Sequence, residues 1–276
     1  MAKNIINQYD PDFLSRSSIF SDLALIIQHK NWQNWPAISH FMELMPKDIK
    51  NADGKPISMH HQYQELPYPE MGYEERIFKT GIISTREQNW HDFFNVFIWV
   101  FFPKTKILLN QLHMQELDDQ LGKKRTPGRD AITHLDESGV IVVSSETEVF
   151  NELKKHCWKD LFVQRRDQWW HSIGSYVFGH GLYEKALNPF IGFTGKAYCL
   201  FVEKRFFKLG KLQQYQILDD LLAQHIREKN SLKDSAALSP LPVLGVPGWY
   251  EDNENSDFYN NQNYFRPRRI TSKANS

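Results

Sequence analysis

His91 and Asn95 stand four residues apart, as do His180 and Glu184, so on helices each pair shares a face, about 40° apart in direction. Each histidine is set among apolar and aromatic neighbours, in Asn89-Trp90-His91-Asp92-Phe93-Phe94-Asn95 and Phe178-Gly179-His180-Gly181-Leu182-Tyr183-Glu184-Lys185. A polar group on such a face costs free energy unless something satisfies it. Imidazole and carboxylate at this spacing suit two chemistries, metal ligation and a general base oriented by its acid. The first makes His91, His180 and Glu184 ligands of a divalent transition metal such as zinc, manganese or iron, with hydrolysis by metal-bound water as the default reaction. The catalytic candidates are thus His91, Asp92, His180 and Glu184. Asp92 lies about 100° round from His91, so it borders the same cleft without chelating the same ion.

Secondary candidates are Asn95, Asn110, Asp130 and Asp136. Asn110, with His113 three residues on, faces the cleft if the kink at Pro103 is mild. The competing structural account is the commoner one for such residues. In it His180 and Glu184 bond each other, while His91 and Asn95 satisfy buried backbone or water. Asp136-Glu137-Ser138-Gly139 reads as the tip of a hairpin, and Arg129-Asp130 as a local ion pair. Gly179 and Gly181 leave the backbone beside His180 open to a ligand or, more commonly, to a closely packed helix. The chain carries no HExxH zinc signature, no phosphate-loop motif, no nucleophile elbow and no CxxC pair.

The elements that must position these residues follow from spacing and punctuation. Apolar residues at Phe20, Leu23, Ile26 and Ile27 predict an early helix, and a short one follows near 37–44. Residues 46–81 read as a long loop packed on the body. Thr85-Arg86-Glu87-Gln88 resembles a capping box for an aromatic helix running to Phe102, and Pro103 separates it from a second helix over 104–121. Residues 129–145 read as a hairpin, 146–187 as helical, 196–202 as a strand and 209–227 as an amphipathic helix. The prolines and glycines of 238–249 predict an irregular surface wrap. The expected fold is α+β: a mainly helical single domain over 1–265, with a small antiparallel sheet or hairpins, a proline-rich C-terminal wrap and a flexible tail over 266–276.

Composition narrows the function classes. Lys plus Arg and Asp plus Glu balance at 33 each, so no global field draws the chain to nucleic acid or an acidic membrane. Arg165-Arg166-Asp167-Gln168-Trp169-Trp170-His171 mixes cations with indoles, but one cluster in a neutral chain is weak evidence for base stacking. Cys157 and Cys199 lack redox or zinc spacing and read as buried thiols. The N-terminus shows no secretory pattern, and the longest apolar run, 93–102, is too short to cross a bilayer. A cytoplasmic location without membrane insertion is expected.

Asn89-Trp90-His91-Asp92, Phe102-Pro103-Lys104-Thr105-Lys106, Phe178-Gly179-His180-Gly181-Leu182-Tyr183-Glu184-Lys185 and the Leu241 to Trp249 segment together resemble a bacterial family, domain of unknown function 3025. The resemblance extends over about 75–268, through Arg129-Asp130, Asp136-Glu137, Trp158-Lys159-Asp160-Leu161-Phe162 and Phe265-Arg266-Pro267. It implies a soluble bacterial protein and one family-wide unit, with no activity or catalytic residue to carry over. Two functional expectations stand side by side. One is a hydrolase acting on a small molecule or protein through a His/Asp/Glu pocket, with or without a metal. The other is a non-catalytic interaction protein with structural core histidines, using Trp169, Trp170 and Trp249 as contacts.

Overall fold

The aromatic segment after Asn89 is apolar on nearly every side, and a helix of that kind belongs at the centre of a core. In the computed structural model, which describes residues 8–118 and 125–268, Trp90, Phe93, Phe94, Val96, Phe97, Ile98, Trp99 and Phe101 are all buried on one helix. Leading to it are α1 (Ser21–Ile27), α2 (Ile38–Leu44), β1 (Ser58–His61), α3 (Tyr73–Thr80) and β2 (Ile82–Thr85). The central helix itself is α4 (Trp90–Phe101). Asn89, not the Thr85 segment, caps it, the side-chain oxygen accepting from Asp92 N at 3.0 Å. After it come α5 (Pro103–Asp118), α6 (Pro127–Ser138), β3 (Gly139–Ser144), α7 (Glu148–Lys155), β4 (Ile173–Val177), α8 (His180–Ala186), β5 (Thr194–Phe201), α9 (Lys211–Lys229) and β6 (Leu238–Pro242).

Helix accounts for about 53% of the chain and strand for 14%, in one compact domain, so the mainly helical α+β class holds. The sheets differ from the expected antiparallel hairpins. β1 and β2 pair in parallel, with α3 as the crossover between them. The larger sheet has the order β4-β3-β5-β6 and is mixed: β3 runs parallel to β5, while β4 and β6 are antiparallel to their neighbours. Gly81 closes the α3 crossover at φ +78°, where an added Cβ would stand 2.1 Å from the Pro56 carbonyl oxygen.

Four segments depart from expectation, each for a local reason. Residues 129–145 are not a hairpin. Thr126 caps a helix by accepting from Arg129 N at 3.1 Å, Pro127 takes its first turn, and Ala131, Ile132 and Leu135 bury one face. Residues 46–81 contain β1 and α3, and 146–187 contain the buried strand β4. The proline-rich segment opens as β6, at the sheet edge, where a missing backbone donor leaves no pairing unfilled. The expected end of the second helix at Leu121 and the tail residues 269–276, Arg269 among them, lie outside the described residues.

Candidate functional site

Helices α4 and α8 pack through rings, with Phe94 and Tyr183 centroids 5.4 Å apart and Phe20 stacked on Tyr183 at 5.9 Å. That contact sets His91 beside His180. Their rings are nearly perpendicular with centroids 4.3 Å apart, and the two Nε2 atoms are 2.9 Å apart. Glu184 bonds His91 rather than His180, its Oε2 lying 3.0 Å from His91 Nδ1. A carboxylate only accepts, so Nδ1 carries the proton and neutral His91 presents a lone pair at Nε2. The same hydrogen bond is the main cause of a raised His91 pKa, against the opposing effect of burial.

The third group at this point is Glu137, which the hairpin reading had placed on a solvated turn. Its Oε1 lies 3.5 Å from His180 Nε2 and 3.8 Å from His91 Nε2. The last turn of α6 delivers it, and the glycines flanking His180 make room. A Cβ on Gly181 would stand 2.8 Å from the Glu137 carbonyl oxygen, and one on Gly179 would stand 2.4 Å from the Ser138 nitrogen. Close helix packing is therefore why those glycines stand there. The sequence signal missed for Glu137 is Thr126-Pro127, a helix start that carries the Asp136-Glu137 pair onto a final helical turn. Burial works against the Glu137 carboxylate, but the hydrogen bond and charge of His180 outweigh it and lower its pKa.

His91, Glu137 and His180 line a cavity of about 210 Å³, whose walls also include Tyr73, Glu74, Arg86, Asp92, Asn95 and Asp136. Asp92 is spent on Arg86, accepting from its Nη2 at 2.7 Å, its Nε at 3.0 Å and its backbone N at 2.6 Å. Asp136 is buried against Lys106 at 2.5 Å. Burial disfavours its charge, yet Lys106 holds its pKa below the ordinary value. Asn95 Nδ2 donates to the Tyr73 hydroxyl at 3.0 Å, while its Oδ1 is buried without a partner among the described residues.

The model of a family described as "Protein of unknown function (DUF3025)" matches residues 60–269. The chain belongs to the DUF3025 family. No curated protein and no solved structure matches it. The DUF3025 match runs from within β1 to the residues after β6, so α4, α6 and α8, which carry the histidine and Glu137 cluster, all lie inside it.

The remaining candidates of this DUF3025 chain fall outside the cluster. Asn110 stands behind the cavity wall, its Nδ2 donating to Glu74 Oε2 at 2.7 Å and to the Glu74 carbonyl at 2.9 Å. Asp130 forms a half-exposed ion pair with Arg125 at 3.1 Å and does not line the cavity. The cations of the 165–171 cluster are occupied, Arg165 by Glu152 and Glu146 and Arg166 by Glu254 and Asn253. Of the three tryptophans expected at a contact surface, Trp169 and Trp249 are buried and only Trp170 is exposed. Cys157 and Cys199 are half-buried, and burial pushes the Cys199 thiol up to about 12. No helix among the described residues is long and apolar enough to cross a membrane.

What the cluster can do chemically follows from its donor set. His91 Nε2, His180 Nε2 and a Glu137 oxygen all lie within 4.8 Å of one another. Ligands of a tetrahedral zinc ion stand about 3.3 Å apart, given bonds near 2.0–2.1 Å. Separations of 2.9, 3.5 and 3.8 Å bracket that value. Two imidazoles and one carboxylate leave one tetrahedral position for water or substrate.

Proposed function

We propose that this protein is a metal-dependent hydrolase, with His91, His180 and Glu137 holding a divalent transition ion such as zinc. The observation that carries this reading is the convergence of the three ligand atoms in the lining of an open cavity, with Glu184 fixing the His91 tautomer that ligation needs. Two neutral nitrogens and one carboxylate favour zinc, manganese or iron over calcium or magnesium. Bound there, zinc would lower the pKa of a coordinated water to about 7 and so would supply hydroxide at neutral pH. Glu184 acts through His91 as an orienting residue, and Asp92 keeps Arg86 in the cavity wall. Its ligand set replaces the sequence-derived one of His91, His180 and Glu184 by exchanging Glu184 for Glu137.

The interaction-protein alternative loses support because Trp169 and Trp249 are buried and the histidines face one cavity. The test is metal content. Protein purified without chelators, or titrated with zinc, manganese or cobalt, is expected to bind about one ion per chain. His180→Ala should abolish that binding and Glu137→Gln should weaken it. A parent protein that neither carries nor takes up any of these ions overturns the metal reading.

A further inference from the structure

Asp92 occupies only one edge of the Arg86 guanidinium. It takes the side edge, accepting from Nε at 3.0 Å and from Nη2 at 2.7 Å. A guanidinium has five N–H donors, so both donors of Nη1 and the second one of Nη2 are left over. Together they form the end edge of the fork, and none of them has an acceptor among the described residues. Arg86 lines the cavity with its side chain 37% exposed, so a ligand can reach that edge. Two parallel N–H groups of this kind match a carboxylate.

Arg76 is a second, independent observation. It is only 4% exposed, yet no carboxylate pairs with it among the described residues. Its Nη2 donates to the Met71 carbonyl at 2.5 Å and the Tyr68 carbonyl at 3.3 Å, and its Nη1 donates to Ser84 Oγ at 3.2 Å. Such acceptors satisfy the N–H groups but leave the charge unmatched, and a buried charge without a counter-ion is costly. Ser84 links that charge to the cavity, because it also lines the wall. Its oxygen accepts from Arg76, so its own proton remains to be given, and no acceptor for it occurs among the described residues. Ser84 and Arg86 stand two positions apart at the end of β2. One short stretch of wall thus offers a hydroxyl donor and an open guanidinium edge, with a buried positive charge behind them.

The carboxylates of the lining do not cancel this charge. Asp92 and Asp136 are matched by Arg86 and Lys106, while Glu137 faces the histidines and leaves only Glu74. With a divalent ion bound and neutral imidazoles, Arg76, Arg86, Lys106 and the ion exceed the four carboxylates by one charge. One anionic group on the ligand makes the cavity neutral. At about 210 Å³ the cavity holds about seven waters, which is room for a short acyl part, with the leaving group extending from the open mouth.

We infer that the site takes short amides or esters whose acyl part carries a free carboxylate, docked on the end edge of Arg86 and the Ser84 hydroxyl while the scissile carbonyl meets the metal-activated water. This rests on the metal-dependent hydrolase reading. In the reaction the oxygen of water bonds to the acyl carbon, the bond from that carbon to the leaving nitrogen or oxygen breaks, and the leaving atom takes a proton from the water. The products are a dicarboxylic acid and a free amine or alcohol.

Three hydroxamates of one length test this, because they share a metal-binding head and differ at the far end: succinate monohydroxamate carries a carboxylate, butyrohydroxamate a methyl and β-alanine hydroxamate an ammonium. They are titrated into the full-length cobalt-loaded protein, with the visible spectrum as the readout. The expected order of affinity is carboxylate, methyl, ammonium, with about tenfold between the first two. Arg86→Gln should bring the succinate compound down to the affinity of the butyro compound in the same variant, and Ser84→Ala, which keeps both arginines, should narrow the gap. A preference that survives Arg86→Gln at full size overturns the assignment to Arg86. The order in the parent protein is decisive even if the variants do not fold. Equal binding of all three, or tightest binding of the ammonium compound, overturns the charge inference and leaves the metal reading intact. Failure of every hydroxamate to perturb the spectrum, or failure of cobalt to load, overturns both.

Discussion

Gly181 and Glu137 approach so closely that a Cβ on the glycine would stand 2.8 Å from the Glu137 carbonyl oxygen and 3.0 Å from its carboxylate. The helix bearing His180 and the helix end bearing Glu137 are thereby locked together. Gly181→Ala should push Glu137 away from the histidines without removing any ligand. Overpacking of this kind costs about 1–3 kcal/mol. Thermal unfolding should show that loss, and zinc titration should show weaker binding at unchanged stoichiometry. Metal affinity equal to the parent's would mean that the glycine serves packing alone.

Glu184 touches only the far nitrogen of His91 in this cluster, at 3.0 Å. Glu184→Gln keeps the shape and loses the charge that favours His91 with its proton on Nδ1. Carboxylates in this position are worth about 10–100-fold in metal affinity or activity. Competition with a calibrated chelator measures the change. An unaltered zinc affinity would remove Glu184 from the site.

Lys106 and Asp136 form a pair whose side chains are 5% and 16% exposed. Lys106→Met would strand the carboxylate in the cavity wall and also remove an ammonium lying over the Trp99 ring. Breaking one side of a buried pair costs about 3–5 kcal/mol. Adding Asp136→Leu should recover much of that loss, since no uncompensated charge remains. Urea unfolding of the two single variants and the double variant closes the cycle.

His113 supplies a pH dependence whose sign is determined. Burial lowers its pKa in the folded state, with Lys106 and Arg129 acting in the same direction and Glu74 and Asp136 opposing. Unfolding frees the ring to take a proton near pH 6.5. The stability tied to this group is therefore present above about pH 6.5 and is lost as pH falls from there through the lowered folded value. Urea unfolding at pH 7.5 and pH 5.5, in the parent and in His113→Gln, should show a smaller acid-induced loss in the variant. An identical loss in both proteins would assign the dependence to other groups.

The central aromatic helix, the helix over α9 and the strand near 196–202 were legible because helix periodicity, caps and β-branched or aromatic runs act between near neighbours. The same is true of the two histidines as candidates, for a polar residue amid Trp90, Phe93 and Phe94 is anomalous in any fold. Family membership was legible from motif combination alone. Asp136-Glu137-Ser138-Gly139 was ambiguous because its residues suit both a turn tip and a helix end. Only the upstream Thr126-Pro127 start and the burial of Leu135 decide for the helix.

Sequence alone determined that His91 and His180 needed partners. Tertiary structure decided which ones. His91 and Glu184 are 93 positions apart, and His91 and His180 are 89 apart, so their pairing depends on how α4 packs on α8. Glu137 joins them because Gly179 and Gly181 lack the side chains that would hold α6 away. Local propensity carries no information about such distances, because they are set by ring packing in the core and by backbone clearance between helices.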